Sequence, residues 1–177
     1  MLAYGPNSID INGDGRPDLV LKAWRESFNG SGFQTYQFLV NMGPERRTFL
    51  DERQRERDSA APARGGDLWE VVPIEDPDGK RMQLVLAEAE TGPCNLRTAA
   101  LVHQPGVGIV LIVAEKRATA DILGSSAVAI DFYTVAHNPD GVPGEPTYSF
   151  RRSESVATKK SYCDAREALD AILAGRD

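Results

Sequence analysis

The chain has 177 residues, long enough to close one hydrophobic core of ordinary size. Its 20 Lys and Arg against 26 Asp and Glu leave a formal net charge of −6, which argues against a nucleic-acid-binding surface across the domain. No apolar run approaches the roughly 18 residues of a membrane span, and 16 Gly with 11 Pro favour many turns over long helices.

The N-terminus reads MLAYGPNSIDINGDG, with neither a basic start nor an apolar stretch of the signal-peptide kind. It fits a cytosolic chain, or a mature one from which a signal has been removed.

The first informative stretch runs from Asp10 through Ile11-Asn12-Gly13-Asp14-Gly15-Arg16-Pro17 to Asp18. Oxygen side chains fall at relative positions 1, 3, 5 and 9, with glycine at position 6, which is the donor spacing of a calcium loop. Asp10, Asn12 and Asp14 can point inward while the chain curls around an ion. Gly15 permits the tight turn, Arg16 offers its backbone carbonyl, and Asp18 closes the ring from the start of a strand. An EF-hand needs Glu at position 12, and that position is Leu21, inside an apolar strand pattern. The expected device is therefore a loop-to-strand Ca2+ site with a structural role. Nitrogen and sulfur donors are absent, which disfavours zinc. The competing reading is an Asx-rich turn that holds no ion.

Asp18–Trp24 and Thr35–Val40 alternate as strands and are expected to pair as a hairpin across a Gly-rich spacer, Asn29-Gly30-Ser31-Gly32. Residues 44–66 are highly charged at first and then rich in Ala, Pro and Gly, which reads as a solvated loop or insertion. Leu68–Ile74 resumes as a strand. Asp76-Pro77-Asp78-Gly79 makes a turn, and Arg81–Glu88 follows with Met82, Leu84 and Leu86 on one expected buried face. Leu96–His103 and Gly108–Ala114 form the next pair. The second of these is almost wholly Val, Leu and Ile, so it is expected to be central. Ala127–Ala136 and Thr147–Arg151 complete the strands.

Only the C-terminal region, residues 161–175, reads as helical. Ala165, Ala168, Leu169, Ile172 and Leu173 share one face at 3.6 periodicity, with Ser161 or Asp164 as cap and Gly175 as stop. The expected fold is a single β domain over residues 1–177. About eight strands form antiparallel sheets, in a sandwich, barrel or propeller-like arrangement, with one C-terminal helix.

Cys94 and Cys163 lie 69 residues apart and form no local metal or redox motif. They fit one long-range disulfide, which implies an oxidising compartment, or two separate buried thiols. His103 and His137 end strands outside any nucleophile, zinc-protease, phosphate-loop or dinucleotide motif. Trp24, Tyr36, Trp69, Phe132, Tyr133 and Tyr148 fall in strands and are expected to pack in the core.

The segment DINGDGRPDLVL resembles the calcium loops of FG-GAP and VCBS-type repeats. Asp10–Leu21, the run NGSGFQTYQF, Trp69-Glu70-Val71-Val72-Pro73-Ile74, Cys94, the turn GVPGEPTYSF and Ser161-Tyr162-Cys163-Asp164 together resemble the family of the carbapenem intrinsic resistance protein CarG. That resemblance implies a small, mainly β, metal-associated periplasmic protein that is not an enzyme and protects against carbapenems without hydrolysing them. A periplasmic or secreted address agrees with a Cys94–Cys163 bridge; a cytoplasmic one is the runner-up.

The expected partner is a protein or cell-envelope target, with no nucleic acid and no membrane span, for a monomer or homodimer. One alternative is an inhibitor of a lysozyme-like cell-envelope enzyme, for which an acidic, disulfide-bonded β domain is suited. Another is a hydrolase built on His103 or His137.

Overall fold

A computed structural model describes residues 2–26, 32–43, 66–76, 78–91, 94–116, 124–139 and 144–176. Among them are twelve strands in two sheets and one helix. The five-stranded sheet is formed by β1 (Gly5–Ile9), β2 (Asp18–Arg25), β3 (Phe33–Gly43), β4 (Leu68–Val71) and β7 (Leu86–Ala87). The seven-stranded sheet runs in the order β6 (Met82–Gln83), β5 (Ile74–Glu75), β12 (Tyr148–Ala157), β11 (Ala129–His137), β10 (Gly108–Glu115), β9 (Cys94–Gln104) and β8 (Ala89–Thr91). The helix α1 (Ala165–Leu173) follows β12. The mainly β, antiparallel architecture with a C-terminal helix is thus present, and the 44–66 segment lies almost wholly outside the described residues.

The expected hairpins form where the sequence alternates. β2 pairs with β3 with Val20 opposite Phe38, and β9 pairs with β10 with Leu101 opposite Leu111. The turn between β9 and β10 is closed by the Val107 amide on the Gln104 carbonyl at 3.1 Å. Gly106 supplies its positive φ of 80°.

The core lies between the sheets. Val20, Phe38 and Val40 from one side pack against Leu111, Val113, Tyr133 and Phe150 from the other. The Phe38 and Phe150 rings meet edge to face, with centroids 5.0 Å apart. The architecture is therefore a sandwich. A second cluster lies on the opposite face of the seven-stranded sheet, where Val110, Ile112, Ala114 and Ile130 meet Ala165, Ala168 and Leu169 of α1. β10 is consequently buried on both faces from Ile109 to Ala114, which is why its sequence is a continuous apolar run rather than an alternation. Each of its Val, Leu and Ile side chains contributes about 1.5–3 kcal/mol by leaving water.

The Asp164 side chain caps α1 by accepting from the Arg166 amide at 2.7 Å. At the far end the Gly175 amide meets the Ile172 carbonyl and the Arg176 amide meets the Ala171 carbonyl. Gly175 takes a φ of 63°, giving a Schellman stop. Cys94 and Cys163 are joined as a disulfide. Beside it the Asp164 carboxylate also accepts from the Asn95 backbone amide at 3.2 Å, so the bridge and the cap fasten the start of α1 to β9 together.

Three strand expectations are corrected. Leu68–Ile74 is not one strand: the chain leaves the five-stranded sheet after Val71, passes Val72-Pro73 and enters the seven-stranded sheet as β5. Pro73 has no N–H to continue a ladder. Its carbonyl instead accepts from Phe150 at 2.8 Å, starting a parallel pairing of β5 with β12 in an otherwise antiparallel sheet. Arg81–Glu88 is likewise broken. β6 and β7 belong to different sheets, and of the three residues expected on a buried face only Leu86 is buried, while Met82 and Leu84 are 44% and 57% exposed. These two interruptions add two strands, and β1 and β8, which were not expected, add two more, so the number among the described residues is twelve rather than about eight. Finally, Tyr36 and Tyr133 are buried, but Trp24 and Trp69 are 47% and 38% exposed rather than core residues.

Candidate functional site

The acidic stretch forms the turn between β1 and β2, whose ladder brings Ile9 opposite Asp18. Asp10 folds back over the turn: its two carboxylate oxygens accept from the Gly13 amide at 2.8 Å and the Gly15 amide at 2.9 Å. Asn12 Oδ1 accepts from the Asp14 amide at 3.1 Å, and Asp14 Oδ1 accepts from the Arg16 amide at 2.8 Å. The Asn12 side-chain amide also donates to Asp14 Oδ2 at 3.2 Å. Gly13 and Gly15 hold positive φ values of 77° and 84°, which lets the amides turn inward toward these oxygens.

The structure thus brings Asp10, Asn12 and Asp14 together in one turn with Arg16 at its end. Each of their side-chain oxygens keeps a second lone pair beyond the N–H it accepts. Among the described residues no group of three or more His, Cys, Asp or Glu side chains converges on one point.

Asp18 has a different place from its neighbours. It is 0% exposed, beneath the turn. Its Oδ2 accepts from the Ile11 amide at 2.7 Å, and its Oδ1 accepts from the Asn41 amide on β3 at 2.8 Å. Burial pushes its carboxyl above the ordinary range, opposed by the amide bonds from Asn41, Ile11 and Asn12, with the nearby Asp14 charge adding to the rise. Asn41 in turn accepts from the Gly43 amide at 2.8 Å and donates to Asp67 at 2.8 Å, extending the polar clasp to the approach to β4. Gly43 holds a positive φ of 66°, which disfavours a side chain there, and an added Cβ would require the Arg16 guanidinium to move.

A second polar centre sits where the chain passes from β7 to β8. Glu88 is 3% exposed. Its Oε1 accepts from the Tyr36 hydroxyl of β3 at 2.9 Å and from the Thr98 hydroxyl of β9 at 2.9 Å, and its Oε2 accepts from Arg166 of α1 at 3.0 Å. Burial, followed by the Glu88 charge, pushes the Tyr36 hydroxyl well above its ordinary range, so it stays a donor. This centre was missed in the sequence, yet it left a trace. Glu88 is in phase with Met82, Leu84 and Leu86, so an acid stands at the next position of the face expected to be buried.

The two histidines lie at strand ends. His103 is exposed at the end of β9, and exposed His137 stacks on Tyr148 with centroids 4.8 Å apart. Near it, Glu75 of β5 receives both the Arg151 guanidinium and the Ser149 hydroxyl.

No helix among the described residues is long and apolar enough to cross a membrane. No protein-family model matches the chain, and no curated protein matches it. Among solved structures, the crystal structure of CarG is similar, with a TM-score of 0.72 over 96% of this chain and 92% of that chain, at 20% sequence identity. At that identity the likeness shows a shared fold.

Proposed function

We propose that this chain is a non-enzymatic, calcium-binding periplasmic protein with a CarG-like protective role, acting by binding a protein or cell-envelope target. The observation that carries this reading is the likeness to CarG over nearly the full length of both chains. The bridge favours an oxidising compartment such as the periplasm.

Calcium is the metal that suits the acidic turn. Asp10, Asn12, Asp14 and the Arg16 carbonyl offer hard oxygen donors in flexible geometry, and Asp18 stands beneath them at the entry to β2. Bound there, calcium would neutralise carboxylates crowded into one turn and fix the β1–β2 connection. Asp18 already clasps that turn to β3 through the Ile11 and Asn41 amides. The buried polar centre at Glu88 ties β3, β9 and α1 together.

The test is protection of a carbapenem-sensitive host that exports this chain to its periplasm. Growth at a carbapenem concentration that stops the empty host, with the antibiotic remaining intact in the medium, supports the reading. Sensitivity equal to that of the empty host, with the exported protein folded and abundant, removes the protective role. Disappearance of the antibiotic from the medium removes the non-enzymatic one.

A further inference from the structure

A small open cleft lies on the outer face of the seven-stranded sheet, away from β9 and β10 on which α1 packs. Ser149 and Arg151 alternate with the core residue Phe150, so they face outward, and they line this cleft with Glu75, Asn138, Glu145 and His137. Its volume is about 120 Å3. That is well below the roughly 300–1,000 Å3 of sites for drug-sized ligands, so it admits a single small ring.

The polar groups of the cleft are arranged in advance. Arg151 Nε and Nη2 each lie 3.0 Å from a different oxygen of Glu75, and the Ser149 hydroxyl donates to Oε1 at 2.6 Å. Asn138 donates its side-chain amide to Glu145 at 3.2 Å. These are two donor–acceptor pairs. Each presents an N–H beside a carboxylate oxygen, the combination that matches a hydroxyl able to donate and accept at once. The lining sets two carboxylates against one guanidinium, so an anion is disfavoured. The less polar part of the lining includes the His137 ring, backed by Tyr148 at 4.8 Å and 16°, and the exposed Met82. A neutral ring with hydroxyls at its rim and C–H groups on its face answers both kinds of wall.

We propose that this cleft is a binding site for one neutral sugar unit, held by the Glu75–Arg151 and Asn138–Glu145 pairs. It supplies a carbohydrate ligand to a protein otherwise read as a binder of unspecified envelope targets. It shares no residue with the acidic turn, so its failure and that of the calcium reading are distinguishable.

The experiment is a titration of the 15N-labelled, disulfide-bonded chain with glucose, galactose and N-acetylglucosamine in turn, read as amide shifts, with acetate as the anion arm. The expected result is saturable shifts from at least one sugar at Glu75, His137, Ser149 and Arg151. Asn138→Ala and Arg151→Ala are each expected to weaken that binding about tenfold or more, as loss of a well-placed polar partner does. Absence of saturable shifts with all three sugars overturns the proposal. So does an acetate footprint equal to that of the sugar, or unchanged affinity in the variants. Should Arg151→Ala lose its dispersed spectrum, Asn138→Ala decides alone, because Asn138 lies outside the Glu75–Arg151 pair.

Discussion

The hydroxyl of Tyr36 donates to the buried carboxylate of Glu88 at 2.9 Å, and that bond links β3 of one sheet to the chain just before β8 of the other. Thr98 and Arg166 complete the shell of the same carboxylate, so three elements are referenced to one side chain. A buried charge with all its partners contributes modest net stability, but removing it strands the partners.

Glu88→Ala is therefore expected to destabilise the fold by about 3 kcal/mol, since it leaves Thr98 without its acceptor and Arg166 without its counter-charge, while the Tyr36 hydroxyl keeps only Gln34 Oε1, at 3.1 Å. Glu88→Gln keeps an acceptor and is expected to cost less. Urea unfolding of the three proteins measures the order. Equal midpoints for Glu88→Ala and the native chain would remove the structural role given to Glu88.

Calcium is expected to raise the melting temperature and a chelator to lower it. At free calcium about 100 times the dissociation constant, the added stability is about 2.7 kcal/mol. Asp14→Ala is expected to abolish most of that shift. Asp78→Ala is expected to leave it intact, because Asp78 sits in a separate turn where it accepts from the Lys80 amide. Calorimetric titration of both variants provides the check. Identical curves would show that the acidic turn is not the site.

Replacing both Cys94 and Cys163 by Ala opens a loop of 69 residues. The loss expected from loop-closure entropy is about 4 kcal/mol. The first amides to lose protection in hydrogen exchange are expected to be those of the opening turn of α1, even though Asp164 still caps Arg166 and holds Asn95. Protection lost first in β10 instead would contradict this.

The Arg151 hydrogen bonds, with help from Ser149 and against the cost of burial, hold the Glu75 carboxyl below its ordinary value. A carboxyl depressed in the folded state stabilises above its unfolded pKa, roughly pH 4. That stability fades as pH falls through the lower folded value. Arg151 is largely exposed, so screening keeps the effect to about 1 kcal/mol or less. The difference in stability between the native chain and Glu75→Gln, followed by urea melts from neutral pH downward, should shrink on acidification. A difference that grows in acid would reverse the assignment.

The parts of the fold that one chain segment determines were legible from its residues. The buried run Ile109–Ala114 announced a central strand, Asp164 and Gly175 marked the ends of α1, and the isolated cysteine pair fitted a bridge. The spacing of Asp10, Asn12 and Asp14 marked a turn between strands, but the backbone amides that donate to their oxygens were not legible from it. The features that depend on a distant partner were not legible. Leu68–Ile74 has the composition of one strand, and only the choice between two sheets breaks it at Pro73. Trp24 and Trp69 alternate like core residues, but each reaches a margin of the sandwich and stays exposed. Glu88, Arg166, Tyr36 and Thr98 lie far apart in sequence, and no local pattern joins them.

Between Val71 and Ala89 the chain changes sheets three times, at Pro73, before Leu86 and at Glu88. The two layers are in effect laced by a single thread. Neither can peel away without drawing that thread out of both, so the sandwich should melt in one step, and no cut at the domain's midpoint should release a half that folds by itself.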